Sequence, residues 1–218
     1  MRKFVILHPS GSIARTVINR VLNEEQFNDV NLTLLTDMPD KVQEFSNNPR
    51  VEIINGDNKV YEDVQKATQG ADIVFLGKVD DYKFNPITNH LIRASKQNKF
   101  NRIIELSLAG LYYEIEGEFG NWVDESVGSG RFIPAREAGQ LLEKSNLNFT
   151  LIRMPALTNW PDIKYSLTQR NDVFEGVSVS RKSVADLVVK ILADPSYCAY
   201  SSVGISQPET AGYTRPVY

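Results

Sequence analysis

The sequence is short of the residues that build metal centres and disulfides. Among 218 residues Cys198 is the only cysteine, and His8 and His90 are the only histidines. Neither an internal disulfide nor a Cys/His metal cluster can be assembled from that set, so no metal site is expected. A single thiol fits a reducing, cytoplasmic setting. Long apolar runs are missing as well. Met1-Arg2-Lys3 carries the charge of a signal n-region, but only Phe4-Val5-Ile6-Leu7 follows. Four apolar residues are too few for a signal core or a membrane span, so no membrane contact is expected. Basic excess is absent too: 24 Lys and Arg stand against 27 Asp and Glu, for a net charge of −3. That excludes the electrostatic footprint of a nucleic-acid binder. With no repeat, low-complexity tract or linker, residues 1–218 read as one domain.

What is present is an alternation of short apolar strands and amphipathic helices. Phe4–Leu7 reads as a buried strand. His8-Pro9-Ser10-Gly11-Ser12 reads as a turn, and residues 13–22 as a helix with Ile13, Val17, Ile18, Val21 and Leu22 on one face. Residues 31–35 form the next strand, with Asp37 just past its end. Such a βαβ unit places backbone amides and a helix N-terminus where a pyrophosphate can rest. An acidic residue after the second strand can accept hydrogen bonds from a ribose. Pro9 is expected to push His8 toward extended geometry.

The rhythm continues. A short helix is predicted over 39–45, strands over 51–55, 71–76 and 102–107, and helices over 61–68 and 86–97. Further on come a helix from Pro134 to about Ser145, a strand over 149–153, a short strand over 177–179, a helix over 183–193 and a late strand over 200–205. The tail from Gln207 reads as extended. This spacing predicts a doubly wound, mostly parallel α/β sheet in three layers. Two stretches break the pattern, 109–131 and 154–176. Both come after strands, so they are expected as irregular, substrate-side loops above the carboxyl ends of the sheet.

These residues carry a resemblance. The turn His8–Ala14, Gly56-Asp57, Gly77, Leu106–Tyr112, the helix from Pro134, Ile152–Thr158 and Val179-Ser180-Arg181 together resemble an atypical short-chain dehydrogenase/reductase, a small NAD(P)-binding Rossmann protein. The family turn is Gly-x-x-Gly-x-x-Gly, and here His8, Gly11 and Ala14 occupy its positions. His8 stands where a glycine without Cβ normally permits the tight turn. The resemblance implies a dinucleotide held by Gly11, Ser12 and Ile13, with the Ser10 and Ser12 hydroxyls helping and His8 beside them. It places Asp57 and Asn58 near the adenine, Gly77 near the nicotinamide ribose, and Ser107 close by. Asp37 aligns with a position often arginine in NADP-preferring relatives. A carboxylate there would repel a 2′-phosphate by on the order of 4 kcal/mol before screening, which favours NAD. Arg15, in the first helical turn, either pairs with a phosphate or lies on a solvated helix face.

In standard family members a Tyr-x-x-x-Lys pair and a serine perform the acid–base step. Here the matching positions are Phe132, Arg136 and Leu108. Phe132 has no ionisable proton, and Arg136 cannot act as a base near neutral pH. The standard proton relay is therefore expected to be absent, with Arg136 left to bind nicotinamide-side hydroxyls or the acceptor. Tyr112, Tyr113 and Tyr165 are substitute acids or loop packing. Asp124 and Glu125 read as an acid pair or solvated charges. Trp122 and Trp160 read as lids or loop anchors, and Arg153 and Arg181 as packing and ion-pair residues. Two functions are implied. One is hydride transfer to a small acceptor, of flavin or quinone type, that takes its proton from water, as in the family's flavin and biliverdin reductases. The other is a redox sensor or regulatory module that binds dinucleotide without turnover.

Overall fold

The computed structural model describes all residues, Met1–Tyr218. The first βαβ unit is β1 (Arg2–Leu7), α1 (Ser12–Asn23) and β2 (Val30–Thr36). Then come β3 (Val51–Asn55), α2 (Tyr61–Ala67), β4 (Ile73–Leu76), α3 (Pro86–Asn98), β5 (Arg102–Leu108), α4 (Gly117–Val127), α5 (Ser129–Lys144) and β6 (Asn148–Met154). The chain closes with β7 (Ala156–Thr158), β8 (Ser166–Thr168), β9 (Ser178–Ser180), α6 (Arg181–Ala193) and β10 (Ser201–Ser206). The main sheet has the order β3-β2-β1-β4-β5-β6-β10-β8. Its neighbours are parallel throughout except for β8, which pairs antiparallel with β10 at the edge. β7 and β9 form a separate parallel pair.

Strands β1 and β4 are buried on both faces, which is why Phe4–Leu7 and Ile73–Leu76 read as continuous apolar runs, while the equally buried β5 carries Arg102, Glu105 and Ser107. Ile13, Val17, Ile18 and Val21 of α1 and Val184, Leu187, Val188 and Ile191 of α6 cover one face. Val64 of α2, Ile87 and Leu91 of α3, and Ala135 and Leu142 of α5 cover the other. This is the expected doubly wound, three-layer Rossmann architecture. The strand order reverses between β1 and β4, so the ligand crevice lies outside their carboxyl ends.

The two stretches expected to be irregular are partly regular. Residues 109–131 contain all of α4, whose Phe119 and Val123 are buried one turn apart. Its glycines hid that helix. A Cβ at Gly120 would run into the Ile115 carbonyl, so glycine here marks close backbone approach rather than a loop. Gly128, at φ 74°, separates α4 from α5 and starts α5 at Ser129. Pro134 therefore lies inside α5 rather than at its start, at the loss of one helical hydrogen bond. Residues 154–176 contain β7 and β8, three residues each, too short to show a period of two. The tail carries a 3₁₀ turn at Pro208–Thr210 rather than continuous extended chain.

Candidate functional site

The turn after β1 keeps the backbone that glycine would supply. His8 adopts φ 61°, left-handed, not the extended geometry expected from Pro9. A tertiary bond and a turn bond accompany this geometry: His8 N–H donates to Leu35 O at 3.3 Å, and within the turn Gly11 N–H donates to His8 O at 3.4 Å. Holding an L-residue there costs about 1–2 kcal/mol. The imidazole lies against Gly11, where an added Cβ would meet His8 Cδ2 and the Gly77 carbonyl at 3.4 Å each. Burial pushes the His8 pKa down, and Lys78 and Lys41 push the same way against Asp37. Burial first and the two lysines second thus disfavour the charged imidazole at the turn.

Gly11 is the N-cap of α1 and supplies no side-chain cap. Arg15 N–H is satisfied by Gly11 O at 2.9 Å, while the amides of Ser12, Ile13 and Ala14 find no acceptor in the chain. No acidic residue occupies the first turn of α1. Three free amides at the positive end of a helix are the donor set a diphosphate needs. Ser10 is half-buried and Ser12 exposed. Gly77 packs directly on the turn: its amide donates to Leu7 O at 3.0 Å, and a Cβ would lie 3.0 Å from that of Ala14.

Asp37 is exposed just beyond β2. Asp57 accepts from the Lys59 amide at 2.8 Å, and its own amide donates to Asp63 Oδ2 at 2.8 Å. Beside it, Asn58 Oδ1 is buried without a donor. An unused acceptor in the loop after β3 fits an adenine amino group. Arg15 donates to Lys41 O at 2.6 Å, pairs with Glu44 and lies over the Phe45 ring. It is committed to the 39–45 segment. These residues fit a dinucleotide.

A cavity of about 500 Å³ lies past the ends of β4, β5 and β6, lined by Val79, Leu108, Ala109, Trp122, Met154, Pro155 and Leu157 among others, and none of its lining residues belongs to the His8–Ala14 turn. Eleven of its fifteen lining residues are hydrophobic. Its charged members are Arg131 and Arg181, and Ser126 and Tyr218 complete the polar set. Leu108, the position matching the serine, lines the cavity. Ser107, one residue earlier, is buried.

The other catalytic positions lie elsewhere. Phe132 is in the core, with its ring beneath Gly110. Arg136 does not reach the cavity: its Nε donates to Leu111 O at 2.5 Å, its Nη1 donates to Tyr113 Oη at 2.9 Å, and its guanidinium covers the Tyr113 ring. The residue that α5 turns toward the cavity is Arg131, whose Nε donates to Asp81 Oδ2 at 2.6 Å. One position on a helix is a rotation of about 100°. Tyr112 is also outside the cavity. Its hydroxyl bonds Glu143 Oε1 at 3.0 Å and Ser202 Oγ at 3.2 Å, and Arg170 stacks on its ring. Burial raises its pKa. Tyr113 is exposed. Tyr165, pushed up to about 12 by burial, donates to Asp186 Oδ2 at 2.8 Å. Trp122 lines the cavity; Trp160 is not among its lining residues.

Arg153 forms the expected ion pair, buried with Glu114. Arg181 does not: it has no carboxylate within 4 Å and donates instead to Leu157 O at 3.1 Å and Asn159 Oδ1 at 3.0 Å. One residue past Val79, Asp80 is fully buried. Thr88 Oγ1 lies 2.9 Å from Asp80 Oδ2 and 3.2 Å from both Glu105 oxygens. Burial, reinforced by the Asp80 charge, drives the Glu105 pKa well above the ordinary range, which favours its protonated form. Sequence reasoning found none of Arg131, Tyr218 or this carboxyl pair; a charged residue inside the apolar run of β5 was the one visible signal, at Glu105.

An uncapped helix at the switch point, an acidic residue past β2 and an apolar cavity beyond β4 and β5 define an NAD(P)-binding Rossmann protein with an oxidoreductase-like fold, of the atypical short-chain dehydrogenase/reductase kind. The sequence matches the NAD(P)H-binding family over residues 10–195, and the chain belongs to that family. It is similar to a short-chain dehydrogenase/reductase from Veillonella parvula DSM 2008 solved in complex with NADP: 26% identity, 100% of this chain and 99% of that one covered, TM-score 0.91. It is similar to a Rossmann-fold NAD(P)-binding family protein from Shigella flexneri: 32% identity, the same coverage, TM-score 0.80. An anaerobillin reductase from Escherichia coli O157:H7 shares the fold at 14% identity and TM-score 0.75, with 97% and 100% covered. No curated protein sequence matches the chain. No helix is long and apolar enough to cross a membrane.

Proposed function

We propose that this protein is an NAD(P)(H)-dependent reductase, preferring NAD(H), that acts on a small acceptor taking its proton from solvent. The observation that carries the reading is an uncapped α1 N-terminus at the switch point together with an apolar cavity past the ends of β4, β5 and β6 that offers no Tyr–Lys pair. The Ser12, Ile13 and Ala14 amides receive the diphosphate, and Asp37 receives the adenosine ribose. Asp57 and Asn58 border the adenine, and Gly77 lets the chain pass close to the nicotinamide half. The bound dinucleotide supplies the hydride. The apolar walls exclude water around it, and the chain places no proton relay there. Residues 109–131 and 154–176 form the acceptor side of the cavity. Preference for NAD(H) rests on the exposed Asp37 carboxylate and on the commitment of Arg15 to Lys41 and Glu44 rather than to a 2′-phosphate. The acceptor class, of flavin or quinone type, is inferred from the missing relay, since such acceptors need no enzymic acid.

The test is calorimetric titration with NAD, NADH, NADP and NADPH, then cofactor oxidation with flavin mononucleotide or a naphthoquinone. Binding of NADH with turnover of either acceptor supports the reading. The missing relay also favours a second reading, a dinucleotide sensor, for which the result is tight binding with no turnover across the panel. Failure of all four nucleotides to bind overturns both.

A further inference from the structure

The cavity beside the cofactor site has an uneven charge. Its walls are mainly hydrophobic, no Asp or Glu side chain lines it, its two charged side chains are both arginines, and the terminal Tyr218, also in the lining, makes no ion pair within 4 Å with either. Arg131 is neutralised by Asp81 at 2.6 Å. Arg181 is not neutralised: its partners are a carbonyl and a side-chain amide oxygen, both uncharged. Its place in the helix sharpens the contrast. Arg181 is the first residue of α6, no acidic residue occupies that turn, and Lys182 is next in the chain. A cation at the N-terminus of a helix is opposed by the dipole, so α6 itself gives no reason for this charge. A guanidinium with free N–H groups, half-buried at an apolar wall, is complete only when an oxyanion enters the cavity with it.

We infer that Arg181 is a specificity residue, and that the acceptor is an apolar, ring-sized molecule bearing a carboxylate that Arg181 receives. This deepens the reading above and rests on that cavity being the acceptor site. A carboxylate accepts two parallel N–H bonds from the guanidinium, and the rest of the molecule lies among Trp122, Val79, Met154 and Leu157. A neutral analogue of the same shape keeps the apolar contact and leaves Arg181 unpaired, so discrimination is large.

The experiment uses the full chain in a Trp160→Phe background, so that Trp122 in the cavity wall is the fluorescent reporter. The probes are 2-naphthoate and 2-naphthamide, which share a ring system and differ in charge. The native cavity is expected to bind the carboxylate at least tenfold more tightly than the amide. Arg181→Met abolishes that preference, and Arg181→Lys, which keeps the charge without the fork, retains part of it and serves if the methionine variant does not fold. Equal binding of the two probes, or a preference that survives Arg181→Met, overturns the inference. So does an Arg181→Met variant that binds NADH tenfold more weakly, because Arg181 would then belong to the dinucleotide. Calorimetry with NADH on the native protein is run separately. A chain that binds NADH but does not discriminate between the probes refutes this inference alone, and a chain that discriminates without binding NADH refutes the cofactor reading and, with it, the assignment of the carboxylate to a hydride acceptor.

Discussion

Replacing Arg153 by methionine should destabilise the protein severely, and the size of the effect can be worked out from its surroundings. Its side chain is fully buried against Glu114, whose side chain is 3% exposed. Arg153 Nη2 also donates to Gln169 O at 2.9 Å. In the variant Glu114 keeps only two donors, the amides of Gly110 at 3.0 Å and Tyr112 at 2.8 Å. A buried carboxylate deprived of its cation costs about 3–5 kcal/mol. At about 2–4 °C per kcal/mol for a domain of this size, the melting temperature should fall by roughly 6–20 °C. Glu114→Gln in the same background should recover much of that loss, because the uncompensated charge is gone while the amides keep an acceptor. A double-mutant cycle in urea should return coupling of about 2 kcal/mol or more. Since Glu114 pins Gly110 beside cavity residue Ala109, NADH affinity should fall along with stability in Arg153→Met. Single variants that each cost under about 1 kcal/mol and add independently would refute the argument.

Three further outcomes are expected. His8→Gly should remove the left-handed strain of about 1–2 kcal/mol while adding about 0.5–1 kcal/mol of unfolded-state entropy. The net is a gain of about 0–1.5 kcal/mol with tighter NADH binding, read by thermal melts and calorimetry; weaker binding would show that the imidazole itself serves the phosphates. Glu105 has its folded pKa raised well above the ordinary 4.5 by burial. As pH rises from about 4.5 toward that folded value, the unfolded chain loses this proton first, so the contribution of Glu105 to stability declines. Glu105→Gln should therefore gain on the native protein as pH rises, and a pH-independent difference in melting temperature would exclude a protonated Glu105. Phe132→Tyr with Arg136→Lys should give no activity on simple carbonyl compounds, because neither side chain lines the cavity; measurable ketone reduction would place α5 differently.

Much of the architecture was readable along the chain. The first βαβ unit, the strand–helix alternation and Asp37 at the strand end are local patterns, short apolar runs for the strands and a period of 3.6 for the helices, and they survived into the structure. Features set by contacts between distant segments were not readable. Whether Arg131 or Phe132 meets the cavity turns on a single residue of rotation in α5, which is set by where Gly128 ends α4. Tyr112 is drawn away from the cavity by Ser202, 90 residues further on. β7 and β8 exist because β9 and β10 pair with them, and three residues carry no period of their own. His8 departs from its local preference: its neighbour Pro9 favours extended chain, yet it is left-handed, with a tertiary bond to Leu35 and a turn bond to Gly11. The lack of a counter-ion at Arg181 is likewise a property of the packed molecule alone, since only folding decides which carboxylates come near which cations.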